Sequence, residues 1–229
     1  MLKSQVTDIF FDLDHTLWDF ELNSELTYTQ IFSDYGIDLP MSTFLEVYVP
    51  LNMKYWKWYR DGQIDKETLR YKRLKDVFDQ LNHAVNDDLI HHLSEAYIDV
   101  LGTQTHLMPF AREILEYLRG NYRLHIITNG FEQVQYRKLQ NTGIDHFFQE
   151  VIPSERAGVQ KPHPDIFKMA LGAAKVSADR ALMIGDSLEA DVLGAISSGM
   201  HAIHFNVHND PPHQHCLIIE HLEEIKQQL

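Results

Sequence analysis

The sequence Val6-Thr7-Asp8-Ile9-Phe10-Phe11 is a β-prone run that stops at Asp12-Leu13-Asp14-His15-Thr16. An apolar run of this length, ending in acidic residues, predicts a short buried strand. Three later segments have the same form, an apolar run that leads into polar residues: 124–127, 150–152 and 181–184. The sequence therefore predicts several buried strands whose carboxyl ends carry polar side chains.

Helical patterns lie between these predicted strands. Residues 109–119 begin with a proline and are followed by Gly120, and residues 164–174 and 188–198 behave similarly. Strands that alternate with helices of about ten residues are typical of βαβ units, and residues 202–205 fit a last strand. We therefore predict an α/β fold with a doubly wound, mainly parallel sheet.

Residues 20–103 interrupt this alternation, because they show helical periodicity and no convincing strand. Apolar residues recur at helical spacing along 74–81 and 89–101, and the segment has no Gly/Ser-rich linker. We predict an inserted, all-helical cap at 20–103 and a core built from residues 1–19 and 104–229.

The composition narrows the choice of partners and compartment. The chain has 229 residues, of which 44% are hydrophobic, and its 20 Lys and Arg against 33 Asp and Glu give a net charge of −13. This charge repels phosphate backbones and anionic lipid surfaces, so we expect no nucleic acid and no membrane as partner. The single cysteine, Cys216, cannot form an internal disulfide, and we find no signal-peptide pattern, so we expect a cytoplasmic protein.

Residues able to carry chemistry follow three of the predicted strands. Asp12 and Asp14 follow the first, Thr128 and Asn129 follow the second, and Asp186 follows a later one. Ligands bind beyond the carboxyl ends of the strands in an open parallel sheet, so the fold would bring these side chains into one pocket. Taken singly, each motif also fits a turn, a helix cap or a strand-to-helix connection.

Taken in order, the motifs resemble those of the haloacid dehalogenase superfamily of hydrolases. The first motif, an apolar strand followed by Asp-x-Asp-x-Thr, is matched by residues 10–16. The second is matched by Thr128, the third by Lys161, and the fourth by Gly185-Asp186-Ser187 with Asp191. The helical insertion resembles the helical cap type of this superfamily, so the resemblance covers nearly the whole chain.

The resemblance implies Mg²⁺-dependent hydrolysis of phosphate monoesters. Asp12 and Asp186 would bind the metal through their carboxylates and Asp14 through its backbone carbonyl, which are hard oxygen ligands that suit Mg²⁺. A cation is also needed physically, because a cluster of carboxylates repels a phosphate dianion. Asp191 would orient metal-bound water or the ammonium of Lys161.

The resemblance also implies roles for the other side chains. Asp12 would attack phosphorus and form an aspartyl-phosphate, while Asp14 would protonate the leaving alkoxide and then activate water. Thr16 would fix the loop that aims Asp14. The phosphate would be bound by three side chains, Thr128, Asn129 and Lys161.

Other reactions stay open to different degrees. Asp14 argues against a 2-haloacid dehalogenase, because an ester formed with carbon needs no acid for an alkoxide. A sugar-phosphate phosphatase or a phosphomutase remains an alternative. A mutase differs in how the cap shields the phospho-enzyme from water, and no motif in the sequence shows this. A non-catalytic binding module is disfavoured, since no carboxylate of the motifs and no lysine is missing. The expected partner is a small phosphorylated metabolite, and the sequence does not define the oligomeric state.

Substrate choice is the least determined part of the sequence. Residues 12–20 resemble the branch of bacterial phosphatases that act on pyrimidine nucleoside 5′-monophosphates, with Trp18 as a candidate for stacking on the base. The cap residues Tyr48, Tyr55 and Tyr59 fall on one helical face, so we expect core packing for them. Near the end of the chain we expect surface residues without a metal site, because no zinc spacing is matched by His201, His204, His208, His213, His215 and Cys216.

Overall fold

The structure is a computed structural model that describes residues 4–229. Within this range the strands are β1 Asp8–Phe11, β2 Arg123–Thr128, β3 Phe148–Pro153, β4 Ala181–Gly185, β5 His201–Phe205 and β6 Leu217–Ile219. They form one sheet in the order β3-β2-β1-β4-β5-β6, and every neighbouring pair is parallel. The predicted α/β fold with a doubly wound, parallel sheet is therefore confirmed.

The central strand β1 is buried along its whole length. It pairs with β2 on one side and β4 on the other, so that Phe11 lies beside Ile126 and Ile184. Strands that are buried on both faces consist of continuous apolar runs, which explains why the sequence pattern was clear here. The next residue, Asp12, continues the ladder, because its N–H donates to the carbonyl of Ile184 at 2.9 Å.

The chain divides into two compact units, one formed by Met1–Glu21 with Thr105–Leu229 and the other by Leu22–Gln104. We call the first the core unit and the second the cap unit. The helices that build the cap unit are α1 Phe20–Tyr35, whose first residues belong to the core unit, α2 Met41–Arg60, α3 Lys66–Gln80 and α4 Asp87–Leu101.

Aromatic side chains form the interior of the cap unit. Tyr28 stacks on Tyr97 with ring centroids 4.6 Å apart, and Phe44 stacks on Tyr48 at 5.2 Å. Tyr48 and Tyr55 are buried, as the helical spacing predicted, whereas Tyr59 is half-buried. Offset and edge-to-face ring pairs stabilise such an interior beyond the area that they bury.

The helices of the core unit are α5 Ala111–Leu118, α6 Glu132–Thr142, α7 Ser154–Ala157, α8 Pro164–Ala174 and α9 Gly194–Ser197. Short 3₁₀ helices lie at Asp145–Phe147, Ala178–Arg180 and Leu222–Gln227, and a π-helix at Leu188–Leu193 leads into α9. Residues 188–198, predicted as one helix, are therefore a π-helix followed by a short α-helix. No described helix is long and apolar enough to span a bilayer.

Candidate active site

Three carboxylates converge beyond the carboxyl ends of β1 and β4. Asp12 follows β1 and Asp186 follows β4, and parallel pairing of the two strands in register brings the residues after them together. Asp191 joins them from the π-helix. One oxygen from each of the three carboxyl groups lies within 4.8 Å of the others. The predicted convergence at this edge of the sheet is therefore present for Asp12 and Asp186.

Lys161 is the ammonium group that faces these carboxylates. Its Nζ lies 2.7 Å from Oδ1 of Asp12 and 2.6 Å from Oδ1 of Asp191, and it donates to the carbonyl of Ile127 at 2.7 Å. The side chain is 2% exposed. Burial alone would lower the pKa of Lys161, but the charges of Asp12 and Asp191 raise it above its ordinary value. Lys161 is therefore a fixed positive charge beside the predicted nucleophile.

One ammonium faces three carboxylates, of which Asp186 and Asp191 are buried and Asp12 is half-buried. Burial raises the pKa of Asp12 well above its ordinary value, Lys161 lowers it, and the charges of Asp191 and Asp186 raise it further. Burial likewise raises the pKa of Asp191. The charges of Asp186 and Asp191 therefore repel a charge on Asp12, and Lys161 acts in the opposite direction. The cluster therefore fits a divalent cation that prefers hard oxygen ligands.

Asp186 is held at both carboxylate oxygens. Thr16 donates to Oδ1 at 2.9 Å, and Nε2 of His208 donates to Oδ2 at 2.9 Å. Burial acts to raise the pKa of Asp186, but the hydrogen bond from His208 and the nearby charge of His15 outweigh it and lower the pKa to about 2. The sequence assigned Thr16 to the loop that aims Asp14, whereas its hydroxyl in the structure holds Asp186.

The histidines near the chain end are not all surface residues. His204 is fully buried, and its Nε2 donates to the backbone carbonyl of Asp186 at 2.9 Å. Its Nδ1 then accepts from Nε2 of His213, also at 2.9 Å. The expectation of surface histidines was wrong for His204, because β5 carries it into the sheet. The short strand β6, which follows this histidine segment, was not predicted.

Asp14 is bound by two residues of α6 that the sequence reasoning did not identify. Nζ of Lys138 donates to its Oδ1 at 2.5 Å, and Nε2 of Gln135 donates to its Oδ2 at 3.0 Å. Both donors are buried. The predicted acid/base residue is therefore tied to the helix that follows β2.

The two residues that follow the second motif strand have different contacts. Oγ1 of Thr128 accepts from Gln135 at 2.6 Å and from the N–H of Gly130 at 3.1 Å, which leaves its hydroxyl hydrogen for a phosphate oxygen. The side chain of Asn129 accepts from the backbone N–H of Lys161 at 2.8 Å and donates to the carbonyl of Lys161 at 3.0 Å. Asn129 therefore ties the second motif to the third, and its contact with phosphate stays a prediction.

Trp18 is fully buried within the structure. Nζ of Lys138 lies 4.1 Å from the centroid of its ring, and Phe20 contacts the ring edge to face. No surface of the indole reaches solvent, so stacking of Trp18 on a base requires a rearrangement and stays a prediction.

Comparison with known proteins places these motifs in context. A model of haloacid dehalogenase-like hydrolases matches residues 9–199. The pyrimidine 5′-nucleotidase YjjG of Escherichia coli is 34% identical over 202 residues, which cover 88% of this chain and 86% of that protein. A glyceraldehyde 3-phosphate phosphatase of Pyrococcus abyssi is 35% identical over 201 residues, covering 86% and 80%. The crystal structure of the HAD-hydrolase YfnB from Bacillus subtilis bound to magnesium has a TM-score of 0.87 and 26% identity, covering 98% of each chain.

Proposed function

Since the chain belongs to the haloacid dehalogenase-like hydrolase family, we propose that it is a Mg²⁺-dependent phosphatase that acts through an aspartyl-phosphate on Asp12. The observation that carries this proposal is the position of Asp12 between Lys161 and two further carboxylates. An isolated buried carboxylate would be a poor nucleophile for an anionic substrate. Here a fixed ammonium and a site that fits a divalent cation surround it.

The reaction divides into two transfers. In the first, a carboxylate oxygen of Asp12 bonds to phosphorus, the bond from phosphorus to the ester oxygen breaks, and Asp14 gives its proton to that oxygen. In the second, water bonds to phosphorus and gives a proton to Asp14, and the bond to Asp12 breaks to return its carboxylate. Mg²⁺ held by Asp12, Asp186 and the carbonyl of Asp14 would neutralise charge on the phosphate.

The other residues of the site bind and orient. Lys161 holds Oδ1 of Asp12 and places a positive charge where the phosphate approaches. The hydroxyl of Thr128 has a hydrogen to donate to a phosphate oxygen. Asp191 accepts from the N–H of Ser187 at 3.0 Å and contacts Lys161, so it orients the ammonium.

For the substrate we propose a pyrimidine nucleoside 5′-monophosphate in the cytoplasm. The similarity to YjjG and the sequence of residues 12–20 support this choice. A small sugar phosphate is the second candidate, because the glyceraldehyde 3-phosphate phosphatase of Pyrococcus abyssi has a comparable sequence identity of 35%. A phosphomutase would use the same first transfer and return the phosphate to a second hydroxyl.

A substrate panel tests the proposal. We would measure phosphate release from dUMP, dTMP, glyceraldehyde 3-phosphate and glucose 6-phosphate, with Mg²⁺ and with EDTA. The proposal expects Mg²⁺-dependent release that is fastest from the pyrimidine nucleotides. Faster release from the sugar phosphates would identify a sugar phosphate as the substrate instead of a nucleotide. Conversion of glucose 6-phosphate without phosphate release would indicate a mutase. Equal rates with EDTA would overturn the role of the metal.

Trapping of the intermediate tests the nucleophile. An acid quench during turnover, followed by peptide mass analysis, should locate a phosphate on the peptide that contains Asp12. A matched Asp19→Asn variant keeps both motif carboxylates and should give the same adduct, whereas Asp12→Asn should give none. An adduct that persists in Asp12→Asn would assign the nucleophile to another residue.

A further inference from the structure

Lys138 is a buried cation that none of the four motifs includes. It lies on α6, is 2% exposed, and its Nζ donates to Oδ1 of Asp14 at 2.5 Å. The same Nζ lies 4.1 Å from the ring centroid of Trp18 and 5.6 Å from that of Phe20. Removing an ammonium from water is costly unless an anion and favourable ring contacts compensate for it. The carboxylate of Asp14, together with the two aromatic rings, therefore stabilises the buried ammonium of Lys138.

Gln135 lies one turn earlier on the same face of α6. Its Nε2 donates to Oδ2 of Asp14 at 3.0 Å and to Oγ1 of Thr128 at 2.6 Å, and its side chain is fully buried. A Cβ placed on Gly130 would lie 2.5 Å from the amide of Gln135, so the absence of a side chain at this position leaves room for the amide. Gln135 thus joins the acid/base residue to a phosphate-binding residue.

We propose that Lys138 and Gln135 are positioning residues that hold the acid/base carboxyl group of Asp14 in register with the phosphate site. This inference rests on the proposed phosphatase function. With one donor on each oxygen, the carboxyl group cannot rotate without breaking a contact. Each carboxyl oxygen can take part in more than one hydrogen bond, so an oxygen of Asp14 can still donate its proton to the ester oxygen and, once ionised, can accept from water. A misplacement of about 1 Å in such a group costs roughly 100-fold in rate.

The leaving group separates positioning of Asp14 from other defects. An alkoxide, such as the 5′-oxygen of thymidine, needs the proton of Asp14 when its bond to phosphorus breaks. A p-nitrophenolate leaves without that proton, so it reports only attack by Asp12. Both substrates give the same phospho-enzyme, which then needs Asp14 to activate water. Loss of positioning should therefore slow the first transfer from dTMP, spare it with p-nitrophenyl phosphate, and slow the second transfer with both.

The variants Lys138→Met and Gln135→Leu test this pattern. We expect thymidine release from dTMP in a single turnover to fall by about 10- to 100-fold. With p-nitrophenyl phosphate, the first turnover should keep its rate constant and be followed by a slower steady state. The amplitude of this first turnover counts folded sites, so partial unfolding would lower the amplitude and not the rate constant. Lys138→Gln, which keeps a donor without the charge, provides a second variant if Lys138→Met does not fold.

Matched controls carry the same substitutions on exposed positions. Lys168→Met removes a lysine whose side chain is 71% exposed, and Gln140→Leu changes an exposed residue at the end of α6. Both should keep wild-type rates with both substrates. Wild-type rates in the Lys138 and Gln135 variants, or an equal slowing of both first transfers, would overturn the inference. If wild-type protein fails to release phosphate, or if Asp12→Asn retains release, the proposed function fails instead.

Discussion

The two ends of β1 carry carboxylates in different electrostatic settings. At the start of the strand, Asp8 accepts from Thr7 at 2.7 Å, from Arg123 at 2.8 Å and from His125 at 2.9 Å. At the other end, Asp12 lies in a cluster of carboxylates that faces one ammonium. The carboxylate of Asp8 pairs with the guanidinium of Arg123, and both of its oxygens accept hydrogen bonds. The carboxylate of Asp12 lies where the carboxylates outnumber the ammonium group.

We expect this difference to separate a structural carboxylate, Asp8, from the proposed nucleophile, Asp12. Burial of a charged group is tolerated when donors and an opposite charge surround it, as they do around Asp8. An uncompensated cluster is retained at a cost in stability, and such clusters concentrate at functional sites. We therefore expect changes at Asp12 to affect activity and changes at Asp8 to affect stability.

The largest expected effect is on activity at the carboxyl end. Asp12→Asn should lower phosphate release by more than about 1000-fold, because an amide cannot form the phospho-enzyme. The substitution also removes one of three repelling carboxylates, so the temperature of unfolding should stay equal or rise. Phosphate release and thermal unfolding followed by circular dichroism measure the two effects. Substantial turnover in this variant would contradict the assignment of activity to Asp12 and of stability to Asp8.

The next largest effect is on stability at the start of the strand. Asp8→Ala removes the buried carboxylate that pairs with Arg123, whose own side chain is 43% exposed, and it leaves the buried Nε2 of His125 without its acceptor. An unsatisfied buried donor of this kind costs about 1–3 kcal/mol. Urea unfolding measures the loss, and activity per folded molecule should stay close to that of wild type. Asp165→Ala is the matched control, because the pair of Asp165 with Lys168 lies on the surface and should contribute little. A loss of activity with unchanged stability in Asp8→Ala would reverse the assignment.

The carboxylates that meet beyond the carboxyl end of β1 could be predicted from the sequence because their signal is local. Asp12 and Asp186 each follow an apolar run directly, and parallel pairing brings such positions together whatever the details of the loops. Lys138 and Gln135 were missed because α6 is mostly polar, so its composition does not separate buried from exposed polar residues. The available signal was their spacing, since Lys138 lies four residues after buried Val134. His208 was expected only as a surface residue, and its hydrogen bond to Asp186 was missed because it lies in an irregular loop, where no periodicity indicates the direction of a side chain.

We expect Mg²⁺ to stabilise the folded protein by binding at the carboxylate cluster beyond the carboxyl end of β1, and not at Asp8. A ligand present at 100 times its dissociation constant raises the free energy of unfolding by about 2.7 kcal/mol. We expect Mg²⁺, compared with EDTA, to raise the unfolding temperature of the wild type and of Asp8→Asn. Asp186→Asn should lose most of this increase, because a predicted ligand is gone. An equal increase in all three proteins would mean that Mg²⁺ binds elsewhere.

The smallest expected effect is a pH dependence at the start of β1. His125 is fully buried, its Nε2 donates to Asp8, and its Nδ1 is a buried nitrogen without a partner. Burial lowers the pKa of His125, and this outweighs the hydrogen bond and charge of Asp8; Arg123 lowers it further, and the charge of Glu150 opposes it. The folded protein therefore holds this histidine neutral at a pH where a free histidine is protonated.

The sign of the effect follows from proton binding in the two states. Below about pH 6.5, the unfolded chain takes up a proton on His125 that the folded protein does not, so the free energy of unfolding falls as the pH falls. Above that pH both states are neutral, and the contribution is fully present. Urea unfolding between pH 7.5 and 5 should show a shallower decline for His125→Gln than for wild type, because glutamine keeps a donor for Asp8 and cannot be protonated. His201→Gln, which changes a histidine outside this cluster, should decline as steeply as wild type. An equally steep decline in His125→Gln would mean that acid destabilises the protein through other groups, and the balance around Asp8 would then not depend on a neutral imidazole.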